Sequence, residues 1–381
     1  MKYPIPSELL SYVEDSHERL LGLIRELCRI TAPSLHEERR ADFCRKWLED
    51  RGAAGVYTDA AKNTVFPVNI ENKNSITVIM AHTDTVFPDT EPMPFIEKDG
   101  RFHSPGVGDD TANLAVLLML AAFVAEKRPA VPGGMLFVAN SAEEGMGNLL
   151  GCRHLMEQYK GRIGEVISLD ATQFKYIHHD AVGSHRYRVA VKTEGGHSFG
   201  NFGNRNAIAY LASLIQTLYQ IKVPDIGTTT YNVGTISGGT SVNTIAQHAE
   251  MLYEYRSDSR EALEIMKRFF YSAVDTYRNM GIGIEAELVG ERPCSDIRDH
   301  ESQNRLVEKC RDIYAEYAGI IPSLEAGSTD CNIPLSLGIP AVTIGVCRGG
   351  GIHTREEWLE TESLKTGFKL AAAVTASYFT Q

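Results

Sequence analysis

No C-x-x-C pair occurs in this 381-residue chain, whose seven cysteines (Cys28, Cys44, Cys152, Cys294, Cys310, Cys331, Cys347) are odd in number and scattered. That argues against a disulfide framework or a thiolate zinc site and leaves buried thiols in a reducing compartment. Cationic excess is missing as well: 38 lysines and arginines against 49 acids give a net charge of −11. Such a chain has no long-range attraction for nucleic acid or an anionic membrane surface, so a small or neutral ligand is expected. No apolar run approaches the roughly 20 residues needed to cross a bilayer. The start, Met1-Lys2-Tyr3-Pro4-Ile5-Pro6, leads into a charged amphipathic stretch rather than a signal-peptide core, and the expected location is cytoplasmic. Low-complexity tracts are lacking too, and 43% hydrophobic with 23% charged residues is an ordinary globular balance. The length suits two domains, or one large domain with an insertion.

What is present is patterned. From Ser7 to about Arg51 apolar residues recur at helical spacing, predicting two amphipathic helices broken at Ala32-Pro33-Ser34. Apolar strands at 76–81, 134–139 and 165–169 then alternate with helices such as 112–127. This order predicts an α/β fold, a mostly parallel sheet with helices on both faces. Between 184 and 292 the rhythm changes to strand 184–194, helix 204–219, strands 228–236 and 247–256, helix 260–280 and strand 283–291. That is the β-α-β-β-α-β order of a ferredoxin-like unit. After Pro293 come a helix near 303–318, an apolar strand from Ala341 to Val346 and a last helix near 363–378. The predicted organisation is a discontinuous domain, 1–183 with 293–381, and an inserted one, 184–292.

Four polar clusters lie just past predicted strands: His82-Thr83-Asp84, Glu143-Glu144, Asp170 and His353. Ligands of open α/β sheets bind at that edge. Singly, each has a structural reading: a surface turn for His-x-Asp, a solvated loop for Glu-Glu, a cap for Asp170, a surface histidine for His353. Asp109-Asp110, in a glycine-rich turn before the apolar helix, reads as a helix cap, although one cap suffices and a second adjacent acid calls for a balancing cation. Together these residues offer a nitrogen and oxygen shell suited to zinc or, less tightly, cobalt or manganese. His82 and Asp84, two apart on extended chain, allow the carboxylate to receive the ring N–H of a ligating histidine. Of two adjacent glutamates, one can ligate while the other acts as general base.

Two other motifs compete. Gly196-His197-Ser198-Phe199-Gly200 matches G-x-S-x-G between a predicted strand and helix, which would make Ser198 a hydrolase nucleophile. It falls in the inserted unit and leaves the strand-end acids unexplained. Gly145-Met146-Gly147 through Gly151 imitates a dinucleotide fingerprint, but Glu143 and Glu144 would repel a pyrophosphate.

From His82 to Glu357 the pattern resembles the dizinc peptidases and deacylases that include peptidase T, carboxypeptidase G, acetylornithine deacetylases, succinyl-diaminopimelate desuccinylases and aminoacylases. The resemblance implies five metal ligands, His82, Asp109 (bridging), Glu144, Asp170 and His353, with Asp84 behind His82, Glu143 as general base and Glu357 four residues after the terminal histidine. It further implies two zinc ions that activate a water, and a homodimer formed through a lid, the inserted domain. From the lid, His197, out of Gly195-Gly196-His197-Ser198, would reach a neighbouring site to stabilise the oxyanion. Asn243, in Gly238-Gly239-Thr240-Ser241-Val242-Asn243, and Arg256 would bind substrate. The implied activity is hydrolysis of short peptides by an exopeptidase or of N-acyl amino acids by a deacylase; a non-catalytic binding protein on the same scaffold is the rival. The chain departs from the family at Asp110-Thr111-Ala112, where D-K-G or M-K-G is usual, and at Thr354, where glycine is usual.

Overall fold

Strands form where the apolar runs fall and at shorter, more polar segments besides. In the computed structural model, which describes residues 2–297 and 299–380, these are β1 (Tyr57–Thr58), β2 (Thr64–Val68), β3 (Ile76–His82), β4 (Met135–Asn140), β5 (Ile163–Leu169), β6 (Tyr176–Ala181), β7 (Gly183–Lys192), β8 (Thr229–Gly238), β9 (His248–Ser257), β10 (Gly283–Arg292), β11 (Ser323–Gly327) and β12 (Ala341–Ile344). The longer helices are α1 (Ser7–Asp15), α2 (His17–Cys28), α3 (Glu38–Glu49), α4 (Asn113–Lys127), α5 (Leu150–Gln158), α6 (Ala207–Leu218), α7 (Arg260–Asn279), α8 (His300–Tyr317) and α9 (Ser363–Ala376). Packing divides the chain into two units, Met1–Ala181 with Asp296–Gln381, and Val182–Ser295.

The first unit holds an eight-stranded sheet in the order β1-β2-β4-β3-β5-β12-β6-β11. Its central strands β4, β3, β5 and β12 are parallel; β2 and β6 flank them antiparallel. Side chains alternate across a strand, and both faces of β3 are covered. Ile79 and Ala81 pack into a core shared with α2, α4, α8 and α9, while Val78 and Met80 pack into another shared with α5. This two-sided burial explains an apolar run without polar alternation.

Three differences from the sequence reading stand out. The predicted first helix is two, because the backbone at Ser16 (φ −100°, ψ 8°) leaves the helical region between α1 and α2. The stretch Val107–Lys127 is, by length and composition, long and apolar enough to cross a membrane, contrary to expectation. Every residue from Asn113 to Ala125 is buried in the protein, so α4 serves as a core helix. Finally, β6 and β11 extend the sheet, and a small second sheet joins Ile96–Lys98, Arg101–His103, Gly349–Gly350 and Trp358–Glu360.

The second unit is a four-stranded antiparallel sheet in the order β8-β9-β7-β10, with α6 and α7 packed on one face. Tyr187, Val189, Met251 and Tyr253 alternate inward onto Leu211, Leu214, Met266 and Phe270. The residues between them, such as Arg186, Arg188, Glu254 and Arg256, belong to the opposite face.

Candidate metal centre

The parallel strands β3, β4, β5 and β12 deliver their C-terminal ends to one edge of the sheet. His82 ends β3, and its ring Nε2 stands 3.0 Å from Asp109 Oδ1. Its Nδ1 lies 3.1 Å from the Asp84 carbonyl and 3.4 Å from that residue's Oδ1, so the backbone oxygen is the nearer acceptor. The Asp84 carboxylate has other donors: the Ser34 hydroxyl at 2.6 Å and the amides of Glu143 and Glu144 at 3.0 and 2.9 Å. It therefore ties the end of β3 to the glutamate pair.

Asp109 sits in the irregular turn Val107–Ala112. The buried Glu357 carboxylate holds that turn by accepting the amides of Gly106, Gly108 and Asp109 at 2.7, 2.8 and 2.9 Å. Asp109 then offers its two oxygens in two directions, Oδ1 to His82 and Oδ2 to His353 Nε2 at 3.1 Å. Asp110 faces elsewhere, accepting the His82 amide at 2.8 Å and the Asn113 side-chain amide at 2.6 Å. No side chain caps α4, so the capping reading of this acid pair fails.

Glu144 Oε1 lies 2.9 Å from His353 Nε2. The glycines beyond it serve this turn: a Cβ at Gly147 would come within 2.6 Å of the Ala142 carbonyl oxygen, and one at Gly151 would collide with Ser141 and Asn63. Close backbone approach, not a pyrophosphate, accounts for the glycine spacing. Three groups of side chains, His82/Asp109/Asp170, Asp109/Glu144/His353 and His82/Glu143/Glu144, each bring donor atoms within 4.8 Å of one another. Imidazoles and carboxylates at this spacing fit a pair of divalent metal ions that share Asp109.

The electrostatics suit a cation. Hydrogen bonds that His353 donates to Asp109 and Glu144 push it up to about 10, and burial, followed by the charges of Asp109 and Glu143, pushes Glu144 up to about 7. Burial pushes Asp170 well up too. His82 is raised as well: burial opposes its charge, but Asp110, Asp109 and Asp84 outweigh that. A metal takes neutral imidazole, whereas a histidine with its pKa at about 10 is protonated at pH 7. Metal loading at pH 7 is thus expected to release at least one proton per chain, with apparent affinity rising as pH climbs towards about 10. Calorimetric titration of metal-free protein in buffers of different ionisation enthalpy measures this; binding without proton release would remove His353 from the ligand set.

His197, Asn243 and Arg256 lie in the inserted unit. His197 is paired opposite Thr244, and the Ser198 amide donates to the Asn243 carbonyl at 3.0 Å. His197 Nδ1 accepts from the amides of Phe199 and Gly200, both at 3.2 Å, which leaves Nε2 as the protonated nitrogen. Helix α6 begins only at Ala207, so Ser198 does not sit on a strand-to-helix elbow as the sequence suggested. Arg256 pairs with Glu254 at 3.0 and 3.2 Å, and Arg186 reaches the same carboxylate at 3.3 Å.

One acid at this edge escaped the sequence reading. Asp330 is fully buried, accepts from Asn140 and is pushed up to about 8, first by burial and then by the charge of Glu143. It lies three residues past β11, which runs parallel to β6 and so antiparallel to β5 and β12, and the strand-end criterion therefore gave no signal for it.

Residues 78–377 match the model of peptidase family M20/M25/M40. An acetylornithine deacetylase from Myxococcus xanthus is 26% identical over 88% of this chain and 86% of its own length. A tripeptidase from Staphylococcus aureus shares the fold with a TM-score of 0.77 at 23% identity, covering 95% of this chain and 98% of that one. A dinuclear metal-binding peptidase of the M20 family from Bacillus subtilis superposes with a TM-score of 0.61 at 18% identity, covering 96% and 99%. With candidate metal-ligand groups assembled at one sheet edge and the match spanning most of its length, the chain belongs to peptidase family M20/M25/M40, metal-dependent hydrolases of amide bonds.

Proposed function

We propose that this protein is an exopeptidase on short peptides that uses two zinc ions, one held by His82 and Asp170, the other by Glu144 and His353, with Asp109 shared between them. The observation that carries this reading is the Asp109 carboxylate, whose two oxygens face the two histidines at 3.0 and 3.1 Å. When bound, the metal ions supply Lewis-acid polarisation of the scissile carbonyl and a nucleophile at neutral pH. Glu143 takes the proton of the attacking water and returns it to the leaving amine. Asp84 sets the direction of that carboxylate by holding the Glu143 amide. His197 donates from Nε2 to the oxyanion, a role supported by the amides that occupy its Nδ1. Asn243 and Arg256 bind the substrate, Arg256 meeting a carboxylate.

A homodimer formed through the inserted unit, supplying His197 to the neighbouring site, is supported by the nearly full exposure of Phe199, Phe202 and Val242 around that histidine. Cytoplasmic residence is supported by seven cysteines that are all buried and unpaired. N-acyl amino-acid deacylation by the same machinery is the second reading, and the acetylornithine deacetylase relative favours it.

A substrate panel tests the assignment. Zinc- and cobalt-loaded protein is offered dipeptides, tripeptides, and N-acetyl and N-succinyl amino acids, with metal content measured alongside. About two metal ions per chain, hydrolysis abolished by chelator and restored by metal, and fastest turnover of a free-amine peptide are the expected results. Fastest turnover of an N-acyl amino acid selects the deacylase. Metal binding without turnover, or metal-independent activity stopped by a serine-directed reagent, overturns both.

A further inference from the structure

The turn that carries Glu143 and Glu144 is held in an unusual way. Its four consecutive amides, Ser141 to Glu144, all donate to side-chain oxygens: Asn63 Oδ1 at 3.0 Å, Glu37 Oε1 at 3.1 Å, Asp84 Oδ1 at 3.0 Å and Asp84 Oδ2 at 2.9 Å. Ala142 is the strained member, with φ at 56°, a left-handed conformation that a residue with a Cβ resists. The group that receives its amide belongs to Glu37, a fully buried residue at the start of α3. The same Oε1 accepts the Leu35 amide at 2.7 Å, while Oε2 faces the Lys62 ammonium at 3.6 Å. A carboxylate buried so completely loses its hydration and persists only where donors replace it.

We infer that Glu37 is a positioning residue for the reaction: its carboxylate fixes Ala142 in the left-handed conformation that turns the chain from β4 into the Glu143–Glu144 pair. The inference rests on the reading of Glu143 as base and Glu144 as ligand. Asp84 alone does not define the turn, because it receives the amides after the bend and Asn63 the one before it. Glu37 acts at the bend itself. Misplacing a catalytic group by about 1 Å from a remote substitution costs on the order of 100-fold in rate, which sets the scale of the expected effect.

Glu37→Gln keeps the reach and one acceptor oxygen without the charge, whereas Glu37→Asp keeps the charge and loses the reach. In the full chain loaded with zinc, on the best substrate of the panel, Glu37→Asp and Glu37→Ala are expected to lower kcat roughly 10- to 100-fold with KM changed less than about threefold. Glu37→Gln is expected to restore most of kcat. A second readout does not depend on turnover: in metal-free protein, hydrogen exchange at the Ala142 amide accelerates by about tenfold in Glu37→Asp and Glu37→Ala and stays near parental in Glu37→Gln. The inference is overturned if a folded Glu37→Ala keeps parental kcat and exchange, or if glutamine is as damaging as aspartate; the Asp/Gln pair decides it even when Glu37→Ala does not fold. Glu143→Gln, run alongside, separates the two ideas. Normal turnover in that variant defeats the base assignment, while the exchange data still report whether Glu37 holds Ala142.

Discussion

Glu143→Gln should lower kcat by about 1,000-fold while leaving the metal content and the fold intact, because general-base contributions run from about 100- to 10,000-fold. Glutamine has the same shape but cannot accept a proton from water. The residue's backbone amide stays bound to Asp84 at 3.0 Å in the variant, so the turn keeps its course. The proposed ligands, His82, Asp109, Glu144, Asp170 and His353, are untouched. KM should change little, since the substrate's own contacts remain. Glu144→Ala makes the contrast: it removes the oxygen 2.9 Å from His353 Nε2, and its defect should appear as lost metal before lost turnover. A Glu143→Gln protein with near-normal kcat and full metal would remove this residue from the mechanism.

Arg40→Met should produce the largest loss of stability. Arg40 is a fully buried cation whose guanidinium donates to four backbone contacts: Nε and Nη2 to the Ile30 carbonyl at 3.1 and 2.7 Å, Nη2 to that of Leu27 at 3.0 Å and Nη1 to that of Thr83 at 2.8 Å. It thereby fastens the C-terminal end of α2 to the residue between His82 and Asp84. It is also a buried positive charge beside Asp84 and Asp110. Methionine fills much of the volume but leaves three carbonyls without that donor and the acids without their counter-charge. Breaking a buried charge network costs about 3–5 kcal/mol, which for a domain of this size corresponds to roughly 10 °C in the melting temperature. Arg40→Lys should fall between, because one ammonium cannot reproduce the planar fork. A melting temperature lowered by less than about 2 °C in Arg40→Met would show that the carbonyls and acids are satisfied in some other way.

Much of this architecture was legible in the residues, for reasons that differ between parts. The runs at 76–81, 134–139 and 165–169 announce central strands because both their faces are buried, and the inserted unit announces itself through its β-α-β-β-α-β element order, with clean alternation of burial on β9. The peripheral strands gave no such signal. Tyr176–Ala181 carries His178, His179 and Asp180, and the small second sheet is assembled from two- and three-residue pieces far apart in the chain. The candidate ligand residues were visible as chemistry at or near strand ends. What held them was not visible, because Glu37, Asp84 and Glu357 act on backbone amides contributed by other segments. A carboxylate's type is written in the sequence, whereas its partners exist only once the chain has closed around it. The G-x-S-x-G motif shows the converse: its local pattern is complete, but no elbow forms around Ser198.

The inserted unit enters the fold through β7 and leaves it through β10, and in that pair Ser184 lies directly opposite Arg292. To the rest of the chain, the whole excursion therefore amounts to a two-stranded stalk. Closing a floppy loop of that length before β11 and β12 dock would carry an entropic penalty that grows with its length. Once β7 and β10 have zipped, the penalty falls to that of a short connection, and the effective contact order of the surrounding sheet falls with it. The insertion can thus fold first, on its own aromatic core, and hand its two ends back side by side, so that evolution or an engineer can exchange this cassette without disturbing the sheet edge where the proposed metal ligands gather.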